Sequence, residues 1–285
     1  MRMNKTVLIV GAVVIASAST LRAGEPTGPG PDEPAAGAPA AAAPDDQDLP
    51  VPPVPPRIAE GADYDRCLAM LTDDPTGAHT FADAWVATGG GDAAAHCLGL
   101  ADVALGEAES GAEALDKLAS ESKAPAAARA AVFGQAGQAW LMAGDPNRAL
   151  ASATQALTLT PDDADLLIDR SIAAANLEHY EDAVEDLSHA LDLDPHRPDA
   201  LVFRSAAWRR LEQVDLARDD IDRALALDPD NPDALLERGI LRQRRGDRAG
   251  AREDWERTVA LDPDGATADL AQQNLALLEA GPDRR

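Results

Sequence analysis

Leu157-Thr158-Leu159-Thr160-Pro161, Leu191-Asp192-Leu193-Asp194-Pro195, Leu225-Ala226-Leu227-Asp228-Pro229 and Ala260-Leu261-Asp262-Pro263 are one phrase written four times. Its proline returns every 34 residues. A fixed period of roughly 20 to 50 residues marks an array of stacked units. No such unit buries its own apolar face, so each leans on its neighbours. A chain built this way presents a long surface rather than a pocket made for chemistry.

Set in rows that begin at Ala130, Ala164, Pro198 and Pro232, several columns agree. One holds Phe133, Leu167, Leu201 and Leu235, and four residues later come Gly137, Ser171, Ser205 and Gly239. Another holds Ala149, Ala183, Ala217 and Ala251, followed after seven residues by Ala156, Ala190, Ala224 and Thr258. Steps of four and seven place these positions on one helix face. Each row has two such runs around a turn, Gly144-Asp145 or Gly246-Asp247 in two rows, Glu178-His179 or Glu212-Gln213 in the others. Small residues let two helices approach, and large ones fill the space beside them. Each row is therefore expected to be an antiparallel helix hairpin, with the proline stopping the preceding helix.

The small/large columns and the closing Asp-Pro or Thr-Pro closely resemble the tetratricopeptide repeat family. The resemblance divides the repeats into 130–163, 164–197, 198–231 and 232–263, with 264–285 as a capping helix and tail. It implies an all-α, right-handed superhelical solenoid of antiparallel hairpins with a concave groove. It also implies a protein that binds proteins or peptides.

Composition agrees with close helix packing: 3% of the residues are aromatic. A formal charge of −25 argues against nonspecific nucleic-acid binding. At the N-terminus, Met1-Arg2-Met3-Asn4-Lys5 precedes an apolar run from Val7 to Ile15 and then small residues. This is the layout of a secretory signal peptide over 1–23, with cleavage after Ala18 or Ala23 and a periplasmic product. The run is short for a membrane span, so membrane contact is expected only if the segment is retained. No cysteine follows the run and no arginine pair precedes it, which argues against lipid anchoring and twin-arginine export. Residues 24–57 are rich in Pro, Ala, Gly and Asp and are expected to be a disordered linker. Pro52-Pro53-Val54-Pro55-Pro56 within it favours stiff polyproline II.

Residues 58–129 read as divergent repeat-like helices, or alternatively as a separate helical domain. Expected helices run Glu60–Leu71, Thr76–Ala87, Asp92–Leu105 and Ala112–Ser120. The turn Gly89-Gly90-Gly91-Asp92 is expected to end one helix and cap the next. It lacks the Gly-Lys-Ser/Thr of a nucleotide loop. Cys97-Leu98-Gly99-Leu100 echoes a first helix, and Gly106-Glu107 echoes Gly144-Asp145. Cys67 and Cys97 are the two cysteines, and export would join them. A redox pair lacks Cys-x-x-Cys, and a zinc site with His79 and His96 follows no ligand spacing.

No catalytic motif or metal-binding spacing appears elsewhere, so neither an enzyme nor a cofactor is expected. Arg170, Arg204 and Arg238 share a column, as do Asp186, Asp220 and Asp254, and the first row lacks both charges with Ala136 and Ser152. These are expected to be structural ion pairs within each hairpin rather than an anion site.

In the family, the first helix of each unit lines the concave face. The resemblance therefore implies an apolar floor of Ile168, Ile172, Val202, Leu236 and Ile240. One edge carries Asp165, Asp199 and Asp233. The other carries Arg209, Arg210 and Arg244, with Met142 and Asn176 in earlier rows. Family members that clamp a peptide carboxylate use Lys and Asn in such columns, where this sequence has mostly aliphatics. The expected function is an exported scaffold in the bacterial envelope that holds an apolar partner segment with acidic flanks. The alternative is a structural subunit of a larger envelope assembly, docking by convex or end surfaces.

Overall fold

The computed structural model describes residues 56–280, so the expected signal peptide, most of the expected linker and the last five residues lie outside the described residues. Thirteen helices follow one another, with no strand among the described residues. They are α1 (Ala62–Asp73), α2 (Pro75–Ala87), α3 (Gly91–Ala104), α4 (Ala108–Glu121), α5 (Ala126–Met142), α6 (Pro146–Leu159), α7 (Ala164–Asn176), α8 (Tyr180–Leu193), α9 (Pro198–Arg210), α10 (Val214–Leu227), α11 (Pro232–Arg244), α12 (Arg248–Leu261) and α13 (Ala266–Ala280). Consecutive helices pack as hairpins, and the hairpins stack into an all-α, right-handed superhelical solenoid.

Local chemistry sets each hairpin. The second helices end two residues before Pro161, Pro195, Pro229 and Pro263. The next helix then starts on its own cap. Asp163 accepts from the amides of Asp165 and Leu166, and Asn231 accepts from Ala234 N at 2.9 Å. Asp145 and Asp247 do the same for α6 and α12, each satisfying an otherwise orphaned amide. The turn within each hairpin from α3–α4 to α11–α12 has one residue at positive φ. Gly106, Gly144 and Gly246 supply it, and Glu178 and Glu212 adopt it at 64° and 61°.

The core follows the columns. Ala183, Ala217 and Ala251 have no exposed surface, and neither do Ala156, Ala190, Ala224 and Thr258. The column of small residues on the first helix is needed for close approach. A Cβ on Gly239 would lie 2.3 Å from Nε1 of the buried Trp255.

The N-terminal segment is corrected in two details. α4 begins at Ala108, four residues before the expected start. Asp92 does not cap α3; it lies in the first turn, where its carboxylate accepts from Ser122 Oγ at 2.5 Å. The hairpin α3–α4 matches α5–α6 at a spacing of 38 residues, Gly99 to Gly137 and Gly106 to Gly144. The excess is one extra helical turn at the start of α5, which has 17 residues against 13 in α7. About one helical turn of insertion keeps the apolar face in phase, so the stack continues across it.

Candidate interaction surface along the first helices

First helices pack on the next first helix, α1 with α3, α5 with α7, α7 with α9, α9 with α11, and α11 with α13, and His96 bonds α3 to Gln135 of α5. The second helices α4, α6, α8, α10 and α12 make no comparable contacts with one another. The first helices therefore form the inner wall, and the seams between them are its repeating surface.

The seams differ in chemistry. Between α3 and α5, the His96 ring uses both nitrogens: Nδ1 accepts from Tyr64 OH at 2.5 Å, and Nε2 donates to Gln135 Oε1 at 2.6 Å. Burial holds the His96 imidazole below its usual pKa and pushes the Tyr64 phenol up to about 12. Between α5 and α7, Gln138 Nε2 donates to both oxygens of Asp169 at 3.1 and 3.2 Å. Burial pushes the Asp169 carboxyl up to about 7, and Asp165 and Asp163 add to the shift. Between α7 and α9 the seam is apolar, with Ile172 and Ala175 facing Phe203 and Ala206 around a small depression. Between α9 and α11, Arg209 grips Glu237 through Nε at 2.5 Å and Nη2 at 3.1 Å.

The expected floor is corrected. Ile168 and Val202 are 5% and 7% exposed and belong to the main core. Leu236 and Ile240 remain half-exposed, like Ile172, while also packing against the cluster around Trp255 and Leu278. Ile172 borders the small apolar depression, beside Phe203. The expected free cations are corrected too. Arg209 is bound to Glu237. Arg244 donates to both oxygens of Glu212 at 2.8 and 2.7 Å. Arg210 lies over the Tyr180 ring at 4.9 Å and 3.7 Å from Glu178. The acidic edge is likewise engaged: Arg197 binds Asp199 and Asp165, and Thr267 Oγ1 donates to Asp233 at 2.5 Å.

Arg210 and Arg244 pair with the two glutamates of the positive-φ turns. Where a row has Glu in that turn, the next row carries Arg at the end of its first helix: Glu178 with Arg210, Glu212 with Arg244. Where a row has Gly106 or Gly144, the next row has Met142 or Asn176 instead. The Glu–Arg couple is a clip between successive hairpins, and it could have been read from the rows as a pair of columns offset by one repeat.

Arg170, Arg204 and Arg238 each make two-pronged bonds to Asp186, Asp220 and Asp254, between 2.5 and 3.0 Å. All three aspartates are buried. Cys67 on α1 and Cys97 on α3 form a disulfide with their Cα atoms 6.2 Å apart. Both are buried beside Ala82. Of the histidines weighed for a metal, His96 is bonded as above and His79 lies 3.2 Å from Asp102. No group of three or more His, Cys, Asp or Glu is placed to hold a metal among the described residues.

A family model of the tetratricopeptide repeat matches residues 138–207 and 204–276. No curated protein matches the sequence. The structure resembles a tetratricopeptide-repeat protein of Thermus thermophilus, with a TM-score of 0.54 and 20% identity over 66% of this chain and 99% of that one. It also resembles a chain of the APC/C hetero-tetramer Cut9–Hcn1, with a TM-score of 0.58 and 16% identity over 75% of this chain and 42% of that one. At such identities the likeness is one of fold.

Proposed function

Residues 138–276 belong to the tetratricopeptide-repeat family, and on that premise we propose that this chain is an exported scaffold that holds a partner protein segment along its first-helix wall. The observation that carries the proposal is the seam series itself. Four successive steps of one repeating geometry present a neutral polar pair, a carboxylate, an apolar depression and an ion pair. Packing alone asks only that such seams be filled. A row of different chemistries suits the reading of different side chains along an extended or helical segment.

Export to the bacterial envelope is supported by the apolar run of residues 7–15 with small residues behind it, and by pairing of the two cysteines. Residues 24–57 then serve as a spacer ahead of the solenoid.

The test is crosslinking in cells. A photoreactive side chain at Phe203 or Gln138 should trap a partner, and one at the outward-facing Glu185 should not. Equal trapping at all three positions sinks groove binding. A reporter active only outside the cytoplasm, fused after residue 57, should be active; an inactive fusion rejects export.

A second reading has its own observation. Leu193, Leu227 and Leu261 repeat every 34 residues at the ends of the second helices, and each is more than a third exposed. An assembly subunit docking through that column would trap partners from photoreactive residues there instead.

A further inference from the structure

The step between α5 and α7 has an incomplete electrostatic setting. Every carboxylate buried below a tenth of its surface, among the described residues, has a basic group within reach: Asp102 has His79, Asp186 has Arg170, Asp220 has Arg204, Glu237 has Arg209 and Asp254 has Arg238. Asp169 is half-buried, and among the described residues no basic side chain lies within 4.0 Å of it. Its bonds come from the neutral amide of Gln138. The guanidinium of Arg197, whose charge is felt at Asp169, is already committed to Asp199 and Asp165.

The repeat supplies an internal control. Glu237 occupies the position of Asp169 two rows later, and it is completed by Arg209. The residue equivalent to Arg209 two rows earlier is Leu141. One seam therefore supplies its own guanidinium, while the other holds a carboxylate with none. Gly134 serves the packing of α5 on α7, since a Cβ there would lie 2.6 Å from Leu166 Cδ2. The next step along the wall is the apolar depression of Ile172, Ala175, Phe203 and Ala206.

We infer that Asp169 is the docking point for a lysine or arginine side chain of the partner segment, and that an aliphatic side chain of the same segment lies against the half-exposed faces of Ile172 and Phe203. The inference rests on the groove-binding reading and reverses the charge first expected of the partner. Packed helices lie about 8–10 Å apart, and an extended chain advances about 3.3 Å per residue. The basic and aliphatic residues are therefore two or three positions apart. A cation at Asp169 would replace the solvent that the carboxylate has lost, so truncating either side of the pair exposes the other to the full cost of burial.

The test uses arrayed synthetic peptides of Gly and Ser carrying one leucine and one variable residue two or three positions before it. The full chain, oxidised, is the analyte, alongside Asp169→Asn and Phe203→Ala variants whose melting is checked by circular dichroism. The wild type should favour Lys and Arg peptides over Glu and norleucine peptides by about tenfold or more. Asp169→Asn should remove that preference while leaving the norleucine peptide unaffected. Phe203→Ala should weaken every peptide that carries leucine. Binding lowered by Phe203→Ala, with an unchanged Lys/Glu ratio in Asp169→Asn, overturns the basic docking point and leaves the groove reading standing. Binding unaffected by Phe203→Ala overturns both, as does the absence of binding by any peptide.

Discussion

Asp186 and Asp254 share a column but not an electrostatic setting. Asp186 has Arg170, and Asp254 has both Arg238 and, at 2.9 Å, Arg242. Removing one partner of a buried pair leaves the other uncompensated, at about 3–5 kcal/mol. Arg170→Ala should therefore destabilise by about that much, and Arg238→Ala by clearly less, in urea melts. Equal losses would show that Arg242 does not stand in. Glu178 carries about 1–2 kcal/mol of backbone strain at its positive φ, and its exposed pair with Arg210, at 3.7 Å, offsets little of it. Glu178→Gly should thus stabilise by about 1 kcal/mol, and a loss of stability would give the clip more weight than its geometry suggests. Asp169 titrates with the opposite sign to a paired carboxylate. Its folded pKa of about 7 lies above the unfolded value near 4. Between these pH values the folded chain keeps a proton that the unfolded chain releases. The stability that Asp169 contributes therefore falls as pH rises from about 4 to 7 and is flat above. Asp169→Asn should remove this slope and raise the melting temperature more at about pH 8 than at about pH 5. An unchanged slope would mean that the carboxyl is well solvated.

At the scale of the element, two glycines in one column have different reasons to be there. A Cβ on Gly239 meets the indole of Trp255, whereas one on Gly137 meets Ala149 O at an ordinary 3.4 Å. Gly239→Ala should cost about 1–3 kcal/mol by overpacking. Gly137→Ala should be neutral or stabilise by up to about 1 kcal/mol, because alanine suits a helix interior better. Thermal melts that ranked them the other way would displace the hairpin register. The same reasoning applies to the alanine columns: Ala217→Leu has no space to enter, since Ala217 is wholly buried. The columns made these positions legible as small and facing inward, but not which neighbour forbids a side chain. That neighbour is Trp255 in one row and backbone in another, although both positions carry glycine.

At the scale of the molecule, the solenoid is a sum of hairpins and their interfaces. The disulfide acts at one end of that sum, tying α1 to α3 across a separation of 30 residues. Reduction should cost at most about 3–4 kcal/mol in a chain-entropy account. The loss should appear as faster amide exchange in α1–α3, with α9–α12 little changed; uniform exchange along the chain would show a single cooperative unit instead. The sequence by itself determined the period, the hairpin, the small columns and the pairing of Arg170 with Asp186, because an offset of 16 residues lies inside one unit. Only the tertiary structure decided which side chains the wall leaves open. The contacts that govern this join different hairpins: Arg209 meets Glu237 across 28 residues, Gln138 meets Asp169 across 31 and Arg244 meets Glu212 across 32. Such offsets depend on the angle and rise between successive units. Those follow from how whole hairpins pack against each other, and no column of one row records them. This is why Ile168 and Val202 are core, why Arg209, Arg210 and Arg244 are committed to acids of neighbouring hairpins, and why Asp169, unlike Glu237 in the same column, has no cation of its own.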